Sequence, residues 1–75
     1  MMYFYENKET ILNMLFQTLK QTVAGIDIVE MRYEMLTNGT ELVVIIYDSG
    51  KRKPVNVSAD SGIALMRDVL RAIAD

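Results

Sequence analysis

The residues that could carry chemistry in this chain are mainly carboxylates and one short basic cluster. The 75-residue sequence contains no histidine and no cysteine, so the usual pairs of nucleophile and base are missing, as are the commonest zinc ligands. Asp27, Glu30, Glu34 and Glu41 surround the first predicted strand, but catalytic carboxylates need a cleft that shifts their pKa. We therefore expect a protein that is not an enzyme, with no catalytic residue, no cofactor and no metal site.

The basic cluster consists of Lys51, Arg52 and Lys53. Phosphate binding normally needs basic residues spread over a surface, and the net charge of −2 gives no electrostatic reason to expect nucleic acid or an anionic membrane as a partner. We interpret the cluster as a solvated hairpin tip whose charges protect an edge strand. The alternative is a nucleic-acid or anion-binding module that uses these three side chains.

These residues must be positioned by a sheet whose middle strand is the stretch 41–48. Six consecutive apolar residues, four of them β-branched, lie there between a charge at each end, which is typical of a buried strand. Glycine is the third loop residue in both flanking turns, and this predicts type I turns with a bulge and positive φ at Gly39 and Gly50. In this register Leu36 opposes Thr40, and Tyr47 opposes Lys51.

The rest of the chain predicts two further strands and two helices. Residues 28–36 alternate between apolar and charged, as in a strand with one wet side, and residues 51–57 form an edge strand because Pro54 cannot donate a hydrogen bond. An amphipathic helix runs from the N-cap Asn7 to Gly25, with Val23 as the last residue of its apolar stripe. The last helix starts at the N-cap Ser58, and its stripe consists of Ile63, Met66, Leu70 and Ile73, widened by Leu65 and Val69. The predicted fold is a single α+β domain over residues 1–75, in αβββα order. Both helices lie on one face of a three-stranded antiparallel meander with strand order 1-2-3.

The order helix, meander, helix resembles that of double-stranded-RNA-binding domains, and the length fits. The resemblance is limited to element order, which does not fix function. Those domains place lysines at the start of their second helix to bind phosphates. Here residues 58–62 read Ser-Ala-Asp-Ser-Gly, with no lysine and one carboxylate. We therefore take the resemblance as one of fold and do not expect RNA binding.

The predicted register gives the sheet two different apolar faces. The core face is assigned to Val29, Met31, Tyr33, Met35, Val43, Ile45, Tyr47, Val55 and Val57. The other face carries Leu42, Val44 and Ile46, flanked by Arg32 and Pro54, and we expect it to form a homodimer interface, since apolar patches on soluble proteins usually mark contacts. Two alternatives stay open. Different loop lengths would exchange the faces of the middle strand, and one helix on each face would give a three-layer monomer.

Two further expectations concern the surroundings of the domain. Tyr3, Phe4 and Tyr5 form an aromatic lead-in that either covers the end of the core or docks a protein partner. No apolar run approaches the length of a membrane span, and a chain without cysteine is compatible with the cytoplasm. We therefore expect a cytoplasmic protein that does not contact the membrane.

Overall fold

The computed structural model describes residues 7–74 and has the predicted α+β architecture. Its three strands form an antiparallel sheet in the order β1-β2-β3. A short 3-10 turn, Val23–Gly25, joins the first helix to the sheet. The elements are α1 Lys8–Leu19, β1 Ile28–Met35, β2 Glu41–Tyr47, β3 Arg52–Asn56 and α2 Gly62–Ala74.

Both turns have the predicted geometry. Gly39 has φ 90° and Gly50 has φ 91°, the region that glycine enters without steric cost. The closing hydrogen bonds run from the amide of Leu36 to the carbonyl of Thr40, at 2.8 Å, and from the amide of Tyr47 to the carbonyl of Lys51, at 2.9 Å. Bonded pairs alternate in antiparallel ladders. The even-numbered residues of β2 therefore bond β1, the odd-numbered ones bond β3, and the register prediction is confirmed.

Both helices pack on the odd-numbered face of β2, which we call the inner face. Val43 and Ile45 are completely buried there, and a single hydrophobic core joins the two helices to the sheet. Its buried members are Leu12, Leu19, Ile28, Met31, Val43, Ile45, Val57, Leu65 and Val69. The two-layer arrangement is thus confirmed for the described residues.

The assignment of Val29 and Met35 to the core face was wrong. Their exposed fractions are 56% and 63%. Ile28 pairs with Tyr47 while Glu30 pairs with Ile46, so Val29 is the extra residue of a bulge. A bulge shifts the alternation by one residue, and it brings Ile28 into the core in place of Val29. Met35 is the last residue of β1 and lies beside the exposed turn.

The first helix ends at Leu19, six residues before the predicted end at Gly25. The Thr22 hydroxyl donates to the Leu19 carbonyl at 2.7 Å and accepts the Gly25 amide at 3.2 Å. Such side-chain bonds to the backbone compete with helix propagation. Gly25 instead ends the 3-10 turn, where a Cβ would lie 2.3 Å from the Leu19 oxygen. Val23, which the pattern placed on the apolar stripe, is consequently exposed.

The second helix differs from the prediction at its start. Its capping residue is Ser61, whose hydroxyl accepts the Ala64 amide at 3.2 Å. Ser58 was the predicted cap, but its hydroxyl accepts the amide of Glu41, at 2.8 Å, and so joins the loop after β3 to the start of β2.

The apolar stripe of α2 is also rotated from the predicted one. Leu65 and Val69, which were predicted only to widen the stripe, are fully buried, whereas Ile63 and Leu70, which were predicted to belong to the stripe itself, are exposed. Apolar residues occupy more than half of the circumference of α2, so the period of the sequence does not fix which side faces the sheet. Packing against β3 and α1 selects the side instead.

Candidate functional site

The face of the sheet opposite both helices is a regular array of nine side chains. Because successive residues of a strand point to opposite faces, the confirmed register places on this side the even-numbered residues of β2 and β3 and, after the bulge at Val29, those of β1. We call this array the outer face. Its cross-strand rows are Glu34–Leu42–Asn56, Arg32–Val44–Pro54 and Glu30–Ile46–Arg52.

The outer face has an apolar centre and a charged rim. Leu42, Val44 and Ile46 run along the middle strand, are half-buried, and do not belong to the hydrophobic core of the described residues. On the β1 side, Arg32 Nε lies 3.0 Å from Glu30 Oε2, and both side chains are about half exposed, at 52% and 51%. An apolar centre surrounded by polar groups is the common anatomy of protein interfaces.

All five residues expected at a dimer interface therefore lie together. Arg32 and Pro54 flank Val44 in the middle row. Pro54 occupies a position whose backbone does not bond β2, because the bonded pairs of β2 and β3 are the odd-numbered residues. Its nitrogen faces the open edge of the sheet, as predicted for a proline in an edge strand.

The basic cluster is divided among three environments. Lys51 is exposed in the turn after β2, and Arg52 lies on the outer face beside Ile46. Lys53 points to the inner face, where its Nζ donates to the carbonyl of Ala72 in the last turn of α2 at 2.7 Å. A cation at this end of a helix stabilises the unpaired carbonyls. The three side chains accordingly do not converge on one surface that a phosphate backbone could follow.

A polar cluster at the end of the inner face was not predicted from the sequence. Lys8 Nζ donates to Glu41 Oε1 at 2.7 Å and to the carbonyl of Val57 at 2.9 Å, and the Tyr33 hydroxyl donates to the other oxygen of Glu41. The hydrogen bond from Lys8, followed by that from Tyr33, lowers the pKa of Glu41. The bond to Glu41 raises the pKa of Tyr33 to about 12. Neither group changes protonation near neutral pH, so the cluster ties α1 to the sheet.

Two carboxyl groups also interact near the start of α2. A hydrogen bond with Asp68, together with burial, raises the pKa of Asp60. The same bond and that from Arg67, whose Nε lies 3.1 Å from Asp68 Oδ1, lower the pKa of Asp68. Asp60 precedes the helix and Asp68 follows two turns later, a separation that gave no signal in the sequence. This pair lies on the helical side of the molecule, away from the outer face.

An open apolar groove of about 400 Å³ lies between the two helices. Met14 and Met66 line it from opposite helices, together with Ile11, Leu15 and Thr18. Met14 is 67% exposed. The groove is thus a second apolar surface, on the opposite layer of the molecule from the outer face.

Tyr3, Phe4 and Tyr5 lie outside the described residues. Within residues 7–74, no helix is long and apolar enough to cross a membrane, and no group of three acidic side chains is arranged to hold a metal ion. The chain matches no family model, no curated protein and no solved structure.

Proposed function

We propose that this chain is a small non-catalytic interaction protein of the cytoplasm that works as a homodimer through its outer face. The observation that carries the proposal is the row of Leu42, Val44 and Ile46 on the side of the sheet that neither helix covers. Each such side chain contributes about 1.5–3 kcal/mol when it is fully removed from water. That gain is large beside the roughly 5 kcal/mol expected for a domain of this size.

A second copy of the chain is the occupant that the composition of the face favours. The face carries both signs of charge. Glu30, Arg32 and Glu34 lie on β1, and Arg52 lies on β3. A surface with both signs can complement itself, and two-fold dimers, in which the same patch meets itself, are the commonest oligomers. Three short strands cover a small area, so we expect a dimer that dissociates in the micromolar range.

The test is sedimentation of the wild-type chain and of Val44→Glu over a range of micromolar concentrations. The wild type is expected to change from monomer to dimer as its concentration rises. Val44→Glu is expected to remain a folded monomer, because a carboxylate at the centre of the face would be buried without a partner. Circular dichroism checks that the variant keeps its fold, which its position outside the core should allow.

Met14→Glu is the matched control. It introduces the same charge at an exposed apolar residue, but in the groove on the helical layer, and it should dimerise like the wild type. A wild-type chain that remains monomeric would end the proposal. So would a Val44→Glu dimer of unchanged stability, and a dimer lost in Met14→Glu but kept in Val44→Glu would assign the interface to the groove.

A further inference from the structure

The charges of the outer face are not symmetric, and this restricts how two copies can meet. The row Glu30–Ile46–Arg52 has an acidic residue on β1 and a basic residue on β3, with the apolar residue between them. The opposite row, Glu34–Leu42–Asn56, has an acidic residue on β1 and a neutral amide on β3. Rotating one copy relative to the other therefore changes which charges face each other.

Two sheets that stack face to face by a two-fold rotation have their axis in the plane between them. Aligned packing keeps the strand directions of the two sheets within about 30° of each other. This condition leaves two positions for the axis, because the angle between the sheets is twice the angle between the axis and a strand. The axis runs within roughly 15° of the direction of β2, or it runs within roughly 15° of the perpendicular to β2.

The perpendicular axis brings like charges together. It places each β1 over the β1 of the other copy with the rows exchanged, so that Glu30 faces Glu34 of the partner subunit and Arg32 faces Arg32 of the partner subunit. Like charges juxtaposed across an interface disfavour that arrangement. Nothing on β3 offsets the repulsion, since Arg52 would face Asn56 of the partner subunit.

The axis along β2 gives the opposite result. It keeps each row facing itself but exchanges the edges, so that β1 lies over β3 of the other copy. Glu30 then faces Arg52 of the partner subunit, and the same pair occurs a second time by symmetry. The apolar residues Leu42, Val44 and Ile46 meet their own copies along the axis. Arg32 faces Pro54 of the partner subunit, so its charge meets no charge of the same sign.

We propose that the two-fold axis of the homodimer runs along β2 and that Glu30 of each subunit binds Arg52 of the partner subunit. This inference rests on the proposed dimer. An arginine and a carboxylate form the strongest side-chain ion pairs because the guanidinium can donate two parallel hydrogen bonds. The two symmetric pairs close the apolar strip at one end, and Arg52 thereby acquires a role that the basic-cluster interpretation of the sequence did not assign to it.

The test uses the single variants Glu30→Arg and Arg52→Glu, separately and mixed. Each variant alone should dimerise more weakly than the wild type, by roughly tenfold or more, because two attractive pairs become two repulsive ones. An equimolar mixture should form a heterodimer with roughly the wild-type affinity, since both pairs are then again of opposite sign. Both altered positions are exposed, so the variants should fold. The control is Glu34→Arg, which faces a neutral residue and should change the affinity by less than about threefold.

The possible outcomes distinguish a wrong position of the two-fold axis from the absence of a dimer. If the wild type dimerises but Glu30→Arg dimerises more tightly, the perpendicular axis is correct, since the new arginine would face Glu34 of the partner subunit. If the wild type dimerises but the mixture gives no heterodimer, the Glu30–Arg52 pair is wrong while the dimer stands. A wild-type monomer overturns both the dimer and its axis.

Discussion

The two sides of β2 are chemically alike but have different surroundings. The inner side presents Val43 and Ile45, which are fully buried beneath both helices. The outer side presents Leu42, Val44 and Ile46, which are half-buried and covered by no element of the described chain. Four of these five residues are identical in type to a residue on the other side, the exception being Leu42. The comparison shows that an apolar strand has a core side only because other elements cover it.

The ion pairs of the two faces differ in the same way. Lys8 and Glu41, at the end of the inner face, have side chains that are only 17% and 16% exposed, whereas Arg32 and Glu30 on the outer face are each about half exposed. Exposed pairs contribute little to stability because water and salt screen them. The inner pair therefore supports the monomer, and the outer charges are available to a second molecule.

The largest effect is expected from truncation on the inner side. Ile45→Ala should cost about 2–5 kcal/mol of unfolding free energy because it leaves a cavity in the core. Val44→Ala should cost clearly less in the dilute monomer, and its cost should grow with protein concentration as the dimer forms. Urea unfolding at several concentrations measures both. Equal costs in the dilute monomer would mean that the outer side is already covered within one chain.

A smaller loss of unfolding free energy is expected from substitutions in the turns, which decide which side of β2 faces inward. Gly39→Val should cost about 1–3 kcal/mol, because a β-branched residue is strained at the positive φ of this position. A Cβ at Gly39 would have no atom within 4 Å, so the cost arises from the backbone alone.

Gly39→Asn is the matched control for that prediction, since asparagine tolerates positive φ better than valine. Thermal unfolding of the two variants should place Asn between Gly and Val. Equal melting temperatures for Asn and Val would contradict the assignment of the cost to backbone strain.

The smallest changes in unfolding free energy are expected from substitutions in the two ion pairs. Glu41→Gln should cost about 0.5–1.5 kcal/mol at neutral pH, since it weakens the hydrogen bonds that the ionised carboxylate accepts from Lys8 and Tyr33. The pKa of Glu41 is lowered in the folded state, so its stabilisation is present above its unfolded pKa and is lost as the pH falls through the folded value. The difference between wild type and variant should therefore narrow in acid.

The matched control for the ion pairs is Glu30→Gln, measured in the dilute monomer. It should cost no more than about 0.5 kcal/mol at neutral pH, because the pair is exposed. Urea unfolding at a series of pH values compares the two variants. A Glu41→Gln variant as stable as Glu30→Gln at neutral pH would show that the Lys8–Glu41–Tyr33 cluster contributes nothing.

The fold class and the composition of the outer face were predictable because local signals set them. The glycine at the third position of each loop determined the geometry of both turns, and the turns determined the strand register. The three rows of the outer face therefore followed residue by residue. Asn7 was predictable as a cap because asparagine is one of the preferred N-cap residues. In the structure its side-chain oxygen accepts the amide of Thr10, the third residue of α1. The predictions that concern function and oligomeric state rest on these rows and stay predictions.

Most of the errors have a different cause. The bulge at Val29 and the rotation of α2 depend on contacts between elements far apart in the chain, whereas the early end of α1 depends on local bonds of the Thr22 side chain that the apolar pattern does not reveal. The Lys8–Glu41–Tyr33 cluster joins residues up to 33 positions apart, and its members carry no local signal of their meeting.

The sequence by itself therefore determined the order of the elements, the pairing register set by the two turns and the residues of the outer face, because propensities and turn geometry act over a few residues. Only the tertiary structure decided which apolar residues of each helix and of β1 are buried. Those choices depend on packing, since α2 offers apolar residues on more than half of its circumference and a strand alternation is changed by one bulged residue. For the same reason, the tertiary structure of residues 7–74 leaves one side of β2 uncovered.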